Sequence, residues 1–590
     1  MTRVRIPARP QGRVAQWPRA LRFPAPTYSR ASTMATRGSS RYAEGPPFPM
    51  AKFNKPTTRA AVTSPVRTET TPSTTTFEGG PGFARDAKSE LFLLAVSNMV
   101  GEATFYEPAG DRDSRFAELI RDVVLVDREW TVRFLAWLRN GANMRSASLV
   151  GAAEAVKALI ANPAAYQEVR LNLDDEFSAT VVPSTPRQIV ASVLQRADEP
   201  GEFLAYWHSR FGRNEPKAVK RGIADATRRL YTEYAALKYD TASKGLRFAD
   251  VLNRVHAVPG DTRQDDLFAF LQNRRFDNDV PLPQSLEMIA ANRQLRADAA
   301  DNLRVLLDAD RLKAAGFTWE DALSLAGDSV DKARLWEALM PSMGYMAAIR
   351  NLRAMDEAGV SDAAAATLAA RIADPDQVRR SRQLPFRFLS AYLAAPSLRW
   401  GHALERALDT ACENIPALPG RTLVLVDTSA SMGAKLSARS QVSAVQAAAL
   451  FGVALAYRGA NVDLVGFASG TFRHDIPKGG SVLQEVQRFC KRVGEVGHGT
   501  EIGESMRRSF KGHDRVVLLS DMQTMSGYYG RDVNSAVPAN IPVYGWNLVG
   551  YANAAMPTGS GNRHEFGGFS DAAFRLIGLL ESGRNATWPF

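Results

Sequence analysis

The stretch Thr422–Met432, TLVLVDTSASM, constrains the fold more than any other part of the chain. Four apolar residues, Leu423–Val426, stop at an acid, and hydroxyls follow at alternate positions: Asp427, Ser429 and Ser431. A β-branched apolar run that ends in polar groups reads as a buried strand delivering a loop to its C-terminal edge. One Asp and two Ser offer only oxygen donors, the chemistry preferred by a hard divalent cation such as Mg²⁺.

From Pro419 onward, strand and helix patterns alternate. LVLVD precedes a long apolar helix over Ser437–Tyr457, then VDLVGF, then a helix over Ser481–Val493. The Gly-rich turn and helix GHGTEIGESMRRSF follows, then the strands RVVLLSD and IPVYGWNL and a last helix, SDAAFRLIGLLES. Apolar strands separated by helices imply a mostly parallel, doubly wound sheet covered on both faces. Ligands of such sheets sit beyond the carboxyl ends of the strands. Asp427 and Asp521 both close apolar strands, and Thr500 lies in the Gly-rich turn before a helix. Three loops at one sheet edge thus bring Asp427, Ser429, Ser431, Thr500 and Asp521 towards a single ion.

Upstream, residues 81–418 read almost wholly as helix. SELFLLAVSNMV, SRFAELIRDVVLV and EWTVRFLAWLR place apolar residues at three- and four-residue spacing, and later segments continue the pattern. Amphipathic helices joined by short breaks, with no fixed sequence period, predict an α-solenoid of irregular, HEAT-like repeats. The expected organisation is therefore a tail over 1–80, the solenoid over 81–418 and the α/β domain over 419–590. Pro, Arg, Ser and Thr dominate the tail, too little apolar surface to offset chain entropy, so it is expected to be disordered. Residues 1–49 differ in composition from everything after them. They read either as an Arg-rich arm or as an extension upstream of a true start at Met34 or Met50.

Net charge has to be dissected before it is used. Residues 1–49 hold nine Arg against one acid, Glu44, so +8 of the +11 belongs to them and +3 to all the rest. An argument for nucleic acid must rest on local patches. The densest is PKAVKRGIADATRRLYTEYAALK, where several of Lys217, Lys220, Arg221 and Arg228 share one helix face and Lys238, Tyr231 and Tyr234 lie close by. Such a face can meet phosphates and stack bases, and it is equally the pattern of a solvated helix. Two cysteines without a CxxC pair fit a reducing, cytoplasmic setting and exclude a disulfide framework. No stretch is long and apolar enough to predict a membrane span.

DTSAS with a downstream Thr and Asp resembles the metal-ion-dependent adhesion site of von Willebrand factor A domains. That resemblance implies Mg²⁺ held by Asp427, Ser429, Ser431, Thr500 and Asp521, with an open position that a partner's acidic group completes. A helical-repeat region followed by such a domain is similar to the TROVE module of the Ro autoantigen and its bacterial relatives. The matching strings are ELFLLAVSNMVGEATFYE, KAVKRGIADATRRLY, LKYDTASKGLRFADVLNRVH, MPSMGYMAAIRNLRAM, LPFRFLSAY and LVLVDTSASM. The resemblance implies repeats closed into a ring, small structured Y-like RNAs on its outer surface, and single-stranded ends of misfolded RNAs in its hole. By position it places RNA contacts at Lys220, Arg221 and His256, with Lys217 and Lys238 added by proximity. It also implies RNA quality control, with an exoribonuclease tethered through the RNA, in a monomeric cytoplasmic protein. The acidic run Leu171–Phe177 is expected to face away from RNA.

The expected protein binds RNA and is not an enzyme. A phosphohydrolase built on Asp427 wants a second carboxylate two residues on, where Ser429 stands, and His498 and His513 lack partners for a Ser–His–Asp arrangement. The rival from another class is a protein–protein scaffold that uses the solenoid and the adhesion site without RNA.

Overall fold

Several helices before residue 420 begin where a side chain can cap them. Thr185, Thr232, Asp261, Thr318, Ser361 and Asp374 each accept a hydrogen bond from the amide three residues on. Each satisfies one of the amides that a helix start leaves without an intrahelical acceptor. The computed structural model describes residues 74–97, 100–163, 185–438, 440–459, 461–477, 479–525, 533–556, 562–581 and 588–590. Among these, no strand lies between residues 87 and 420, and the helices pack in succession as an irregular solenoid. Close packing leaves its mark on the sequence. A Cβ at Gly222 would stand 2.6 Å from the Arg187 carbonyl oxygen, so the glycine lets helix Lys217–Leu230 lie against helix Pro186–Val193.

The second half is a doubly wound α/β domain. Its strands are β3 (Arg421–Asp427), β4 (Asn461–Phe467), β5 (Thr471–His474), β6 (Arg515–Ser520), β7 (Val543–Asn547) and β8 (Arg563–Gly567), with β1 (Thr74–Thr75) and β2 (Pro81–Gly82) in a separate hairpin. The order is β5-β4-β3-β6-β7-β8, parallel except for the antiparallel edge strand β5. In β3, Val424 and Val426 join the core that continues into the solenoid, whereas Leu423 and Leu425 join a second core on the other face. Period-two alternation with both faces covered explains why β3 has no exposed apolar position.

Both ends of the helical region meet the α/β domain. At the beginning, Arg85 is bidentate to Glu565 of β8 at 2.8 and 2.6 Å, and Arg112 donates to the Val549 carbonyl at 2.5 Å. Trp588 and Phe590 from the other end of the chain enter an aromatic cluster with Trp130, at 4.9 and 5.5 Å between centroids. At the end of the solenoid, Glu405 accepts from Ser481 and Val482 at the start of helix Val482–Cys490, and Asn414 donates twice to Asp571. The two ends also touch each other directly: Arg382 donates to Asn140 at 3.4 Å. This is the closure expected of a ring.

The structure corrects several local expectations. Residues 74–80, assigned to the disordered tail, form a hairpin with 81–82, anchored by Thr76 Oγ1 donating to the Thr524 carbonyl at 2.6 Å. The apolar helix begins at Ala444, not Ser437, because Ser443 and Gln446 form a capping box. Strands β5 and β8 were absent from the sequence reading, since TFRH and RHEFG are polar. Positions 1–73 and the acidic run 171–177 lie outside the described residues.

Candidate metal site and basic face

Strands β3 and β6 are neighbours in register, Leu425 opposite Leu518, so their carboxyl ends open side by side. Asp427 ends β3, and Asp521 follows the last residue of β6. Asp427 Oδ1 accepts from the Ser429 amide at 2.9 Å, Oδ2 accepts from Ser520 Oγ at 2.6 Å, and the Ser429 and Ser431 hydroxyl oxygens stand 3.2 Å apart. The Thr500 turn is tied to both loops. Ala430 N donates to the His498 carbonyl at 3.0 Å, and Met525 N and Thr524 Oγ1 donate to the Thr500 carbonyl at 2.8 and 3.1 Å. All five expected ligands thus converge at one sheet edge, buried to 2% exposure or less.

The donor set fits a hard cation. Thr500 Oγ1 and Asp521 Oδ2 are buried oxygens with no hydrogen-bond partner among the described residues, an expensive arrangement in a folded interior unless a ligand satisfies them. Burial, opposed by hydrogen bonds from Ser520 and Ser429, pushes the Asp427 carboxyl up to about 6. Burial and then the Asp427 charge push Asp521 up to about 8. Two dehydrated carboxylates repel each other, and a divalent ion is the species that reverses both effects. Among the described residues no three His, Cys, Asp or Glu side chains group closely enough to hold a metal, so hydroxyl donors are indispensable here. Asp427, Ser429, Ser431, Thr500 and Asp521 would hold the ion, whose chemistry is the capture of an anionic oxygen.

The expected RNA residues divide in the structure. Lys217 and Arg221 are exposed on helix Lys217–Leu230 and, like the exposed Arg228, pair with no carboxylate among the described residues. Lys220 is half-buried and lies 3.8 Å from Glu215, which also accepts from His208 and from Arg254 at 2.8 Å. His256 is exposed and ends helix Phe248–Val255 in the left-handed conformation, φ 53°. It follows Arg254, which reaches the start of helix Lys217–Leu230 through Glu215, and precedes Gly260, which abuts Arg228 near that helix's end. Lys238 does not join this face. Its ammonium lies 5.4 and 5.2 Å from the Tyr234 and Tyr239 rings, half-buried. Tyr231 is 2% exposed and stacks on Phe248 at 3.9 Å, so it is a core residue and not a platform for bases.

The TROVE domain family matches residues 308–399, in the last third of the solenoid. Over those residues the chain is similar to that family. Its fold is that of Ro: the crystal structure of the Deinococcus radiodurans RO (RSR) protein superposes with a TM-score of 0.55 at 18% identity, covering 84% of this chain and 100% of that one.

The basic face lies outside the family match, on helices nearer the N-terminus. There the structure adds residues that the sequence reading missed. His208, Arg213, Asn253, Arg254 and Arg275 line a cleft of about 390 Å³ together with Asp250, and of these Arg254 is paired with Glu215 and Arg275 with Asp250. They come from four separate segments, and no periodicity joins them; only the fold does.

Proposed function

We propose that this chain is a TROVE-family, RNA-binding protein of the Ro type. Exposed Lys217, Arg221 and Arg228, with His256 beside them, neutralise phosphates of small structured, Y-like RNA on the outside of the helical region. One observation carries this reading. Neighbouring arginines are paired, Arg187 with Asp225, Arg263 with Glu233 and Arg275 with Asp250, whereas these three cations share one helix face without a carboxylate. Unpaired, solvated cations in a row are what counterion release requires. Single-stranded ends of misfolded RNA, an RNA-tethered exoribonuclease and a role in RNA quality control belong to the same proposal.

The protein is a binding protein and not an enzyme. At the strand end where a phosphohydrolase places its second carboxylate, Ser429 offers a hydroxyl 3.2 Å from that of Ser431. The metal site is read as a Mg²⁺ site that captures an acidic group. Among the described residues, no helix is long and apolar enough to cross a membrane.

Sequencing the RNA that copurifies with the full chain, followed by filter binding of that RNA across salt, tests the proposal. Enrichment of a small structured RNA, with affinity falling steeply as salt rises, is expected. Absence of both overturns the RNA reading and favours the protein–protein scaffold instead.

A further inference from the structure

Two adjoining cavities open ahead of the basic helix. The first, about 310 Å³, lies between helix Glu199–Phe211 and the segment 244–248, and the second is the cleft of about 390 Å³ at Arg254 and Arg275. His208, Arg213, Gly245 and Leu246 are walls common to both. Cavities of about 300–1,000 Å³ are the size of small-molecule sites. The walls are fixed from both sides. Asp240 accepts from the Phe248 amide at 2.7 Å and from Arg247 at 3.2 Å, which holds the segment 244–248 in place. Opposite, the buried carboxylate of Glu215 accepts from His208 and from Arg254 at 2.8 Å, and Arg254 also donates to the Arg213 carbonyl at 2.9 Å.

Most charges around the cavities are spent on one another. Arg254 pairs with Glu215 and Arg275 with Asp250, whereas Arg213, exposed on the shared wall, pairs with no carboxylate among the described residues. Lys244 is held only loosely, 4.0 Å from Glu202 Oε1, and that oxygen accepts no hydrogen bond among the described residues, since Arg145 engages Oε2. Between these groups Tyr239, Leu246 and Phe248 form an apolar wall. An uncommitted guanidinium, an ammonium beside an uncommitted carboxylate oxygen and an apolar wall suit a ligand that joins an anion, a hydroxyl and a flat ring. Inorganic phosphate would leave Glu202 and the wall unused, and a wholly apolar ligand would strand Arg213. Arg213 also stands four positions before Lys217, so the cleft continues the basic face.

We propose that this cleft binds one nucleotide, with its phosphate on Arg213 and Lys244, a ribose hydroxyl on Glu202 Oε1 and its base along Tyr239, Leu246 and Phe248. The chemistry is the same for a free nucleotide and for an unpaired nucleotide of an RNA held on the basic face, and only the second source rests on the RNA reading. Glu202 makes this a site for ribonucleotides, because the 2′-hydroxyl is the donor that a deoxynucleotide lacks.

Gly245 supplies the perturbation. It borders both cavities, and a Cβ there would meet nothing within 4 Å, so Gly245→Phe adds bulk to the cleft without a clash at Cβ. The full chain is titrated by calorimetry with each ribonucleoside 5′-monophosphate, then with the deoxy form and the nucleoside of the one bound best. The deoxy form is expected to bind severalfold more weakly and the nucleoside about tenfold more weakly. Gly245→Phe should lose about tenfold or more, Arg213→Ala should reduce the nucleotide to the level of the nucleoside, and Glu202→Gln should erase the ribose preference. For a nucleotide supplied by RNA, the monophosphate competes with the copurifying RNA in wild type and not in Gly245→Phe; for a free nucleotide, the two bind independently. Nucleotide binding by a chain that copurifies no RNA leaves the cleft standing and overturns the RNA reading alone. No binding of any monophosphate at millimolar concentration, or equal binding by wild type, Arg213→Ala and Gly245→Phe, overturns the proposal.

Discussion

Removing Lys217 and Arg221 together should change the salt dependence of RNA binding by a calculable amount, and removing Lys238 should not. Each phosphate contact contributes about 0.9 to the slope of log K against log salt on a duplex and about 0.7 on a single strand. Referred to 1 M salt, one contact is worth about fivefold in affinity at ~0.15 M, or about 1 kcal/mol. Lys217 and Arg221 are exposed and unpaired among the described residues, so nothing discounts their contribution. The double variant Lys217→Ala, Arg221→Ala should therefore lose roughly 30-fold at ~0.15 M salt and about 1.4–1.8 from the slope. Lys238→Ala should leave the slope within about 0.3 of wild type. Its ammonium is engaged by Tyr234 and Tyr239, and truncation costs stability of about 0.5–1 kcal/mol instead. Filter binding of the copurifying RNA at five salt concentrations measures all three slopes. An unchanged slope in the double variant, or an equal fall in Lys238→Ala, refutes the assignment of this face.

Two further outcomes test other parts of the structure. Asp427→Ala and Thr500→Val should each abolish the rise in melting temperature caused by Mg²⁺ while RNA affinity stays within about twofold, since site and basic face are on different domains; thermal melts with and without Mg²⁺ measure this. His564, 3% exposed and stacked on Tyr544 at 5.3 Å, is lowered to about 4 by burial and then by Arg563. A base depressed in the folded state is protonated more readily unfolded, so its contribution is complete above about pH 6.5 and lost as pH falls towards 4, up to about 3 kcal/mol. Urea melts of wild type and His564→Phe at pH 4.5 and 7 should show a smaller acid loss in the variant.

The α/β domain was legible because its signals are local. An apolar strand that ends in Asp427 reads the same in the sequence as in the sheet, and so does RVVLLSD before Asp521. The capping residues of the helices are equally local. What escaped the sequence reading depends on partners hundreds of positions away. RHEFG looks like a loop until Arg85 arrives to pair with Glu565 and Asn547 Nδ2 donates to it at 3.0 Å, which lets a polar segment become the buried strand β8. The hairpin over 74–82 was hidden for the same reason, since a Thr-rich run acquires order only by docking on 523–525. On the basic face, the resemblance placed Arg221, and proximity added Lys217 and Lys238 to it. The fold separates them by supplying tyrosines to Lys238 and, among the described residues, no carboxylate to the other two.

Arg85 tests how firmly the chain is closed. Its four side-chain hydrogen bonds to described residues cross to the last part of the chain: two to Glu565, and one each to the Tyr551 and Ala552 carbonyls at 2.6 and 2.8 Å. Both side chains of the ion pair are fully enclosed. Truncating one partner of a buried pair costs about 3–5 kcal/mol, because the surviving charge stays dehydrated. The first helices have other anchors, with Arg112 on the Val549 carbonyl and Trp130 against Trp588 and Phe590. Arg85→Ala should therefore open the segment 74–86 locally while those helices stay docked. A loss of 3 kcal/mol corresponds to exchange faster by on the order of a hundredfold. Hydrogen exchange should show that increase at Phe77, Gly80 and Phe83 and little change at Ile120. Converting both partners, Arg85→Met with Glu565→Met, should recover part of the protection, since the stranded charge disappears with its partner. Uniformly faster exchange across all helices would mean that this clasp holds the whole closure, and unchanged exchange at the hairpin would mean that it holds none of it.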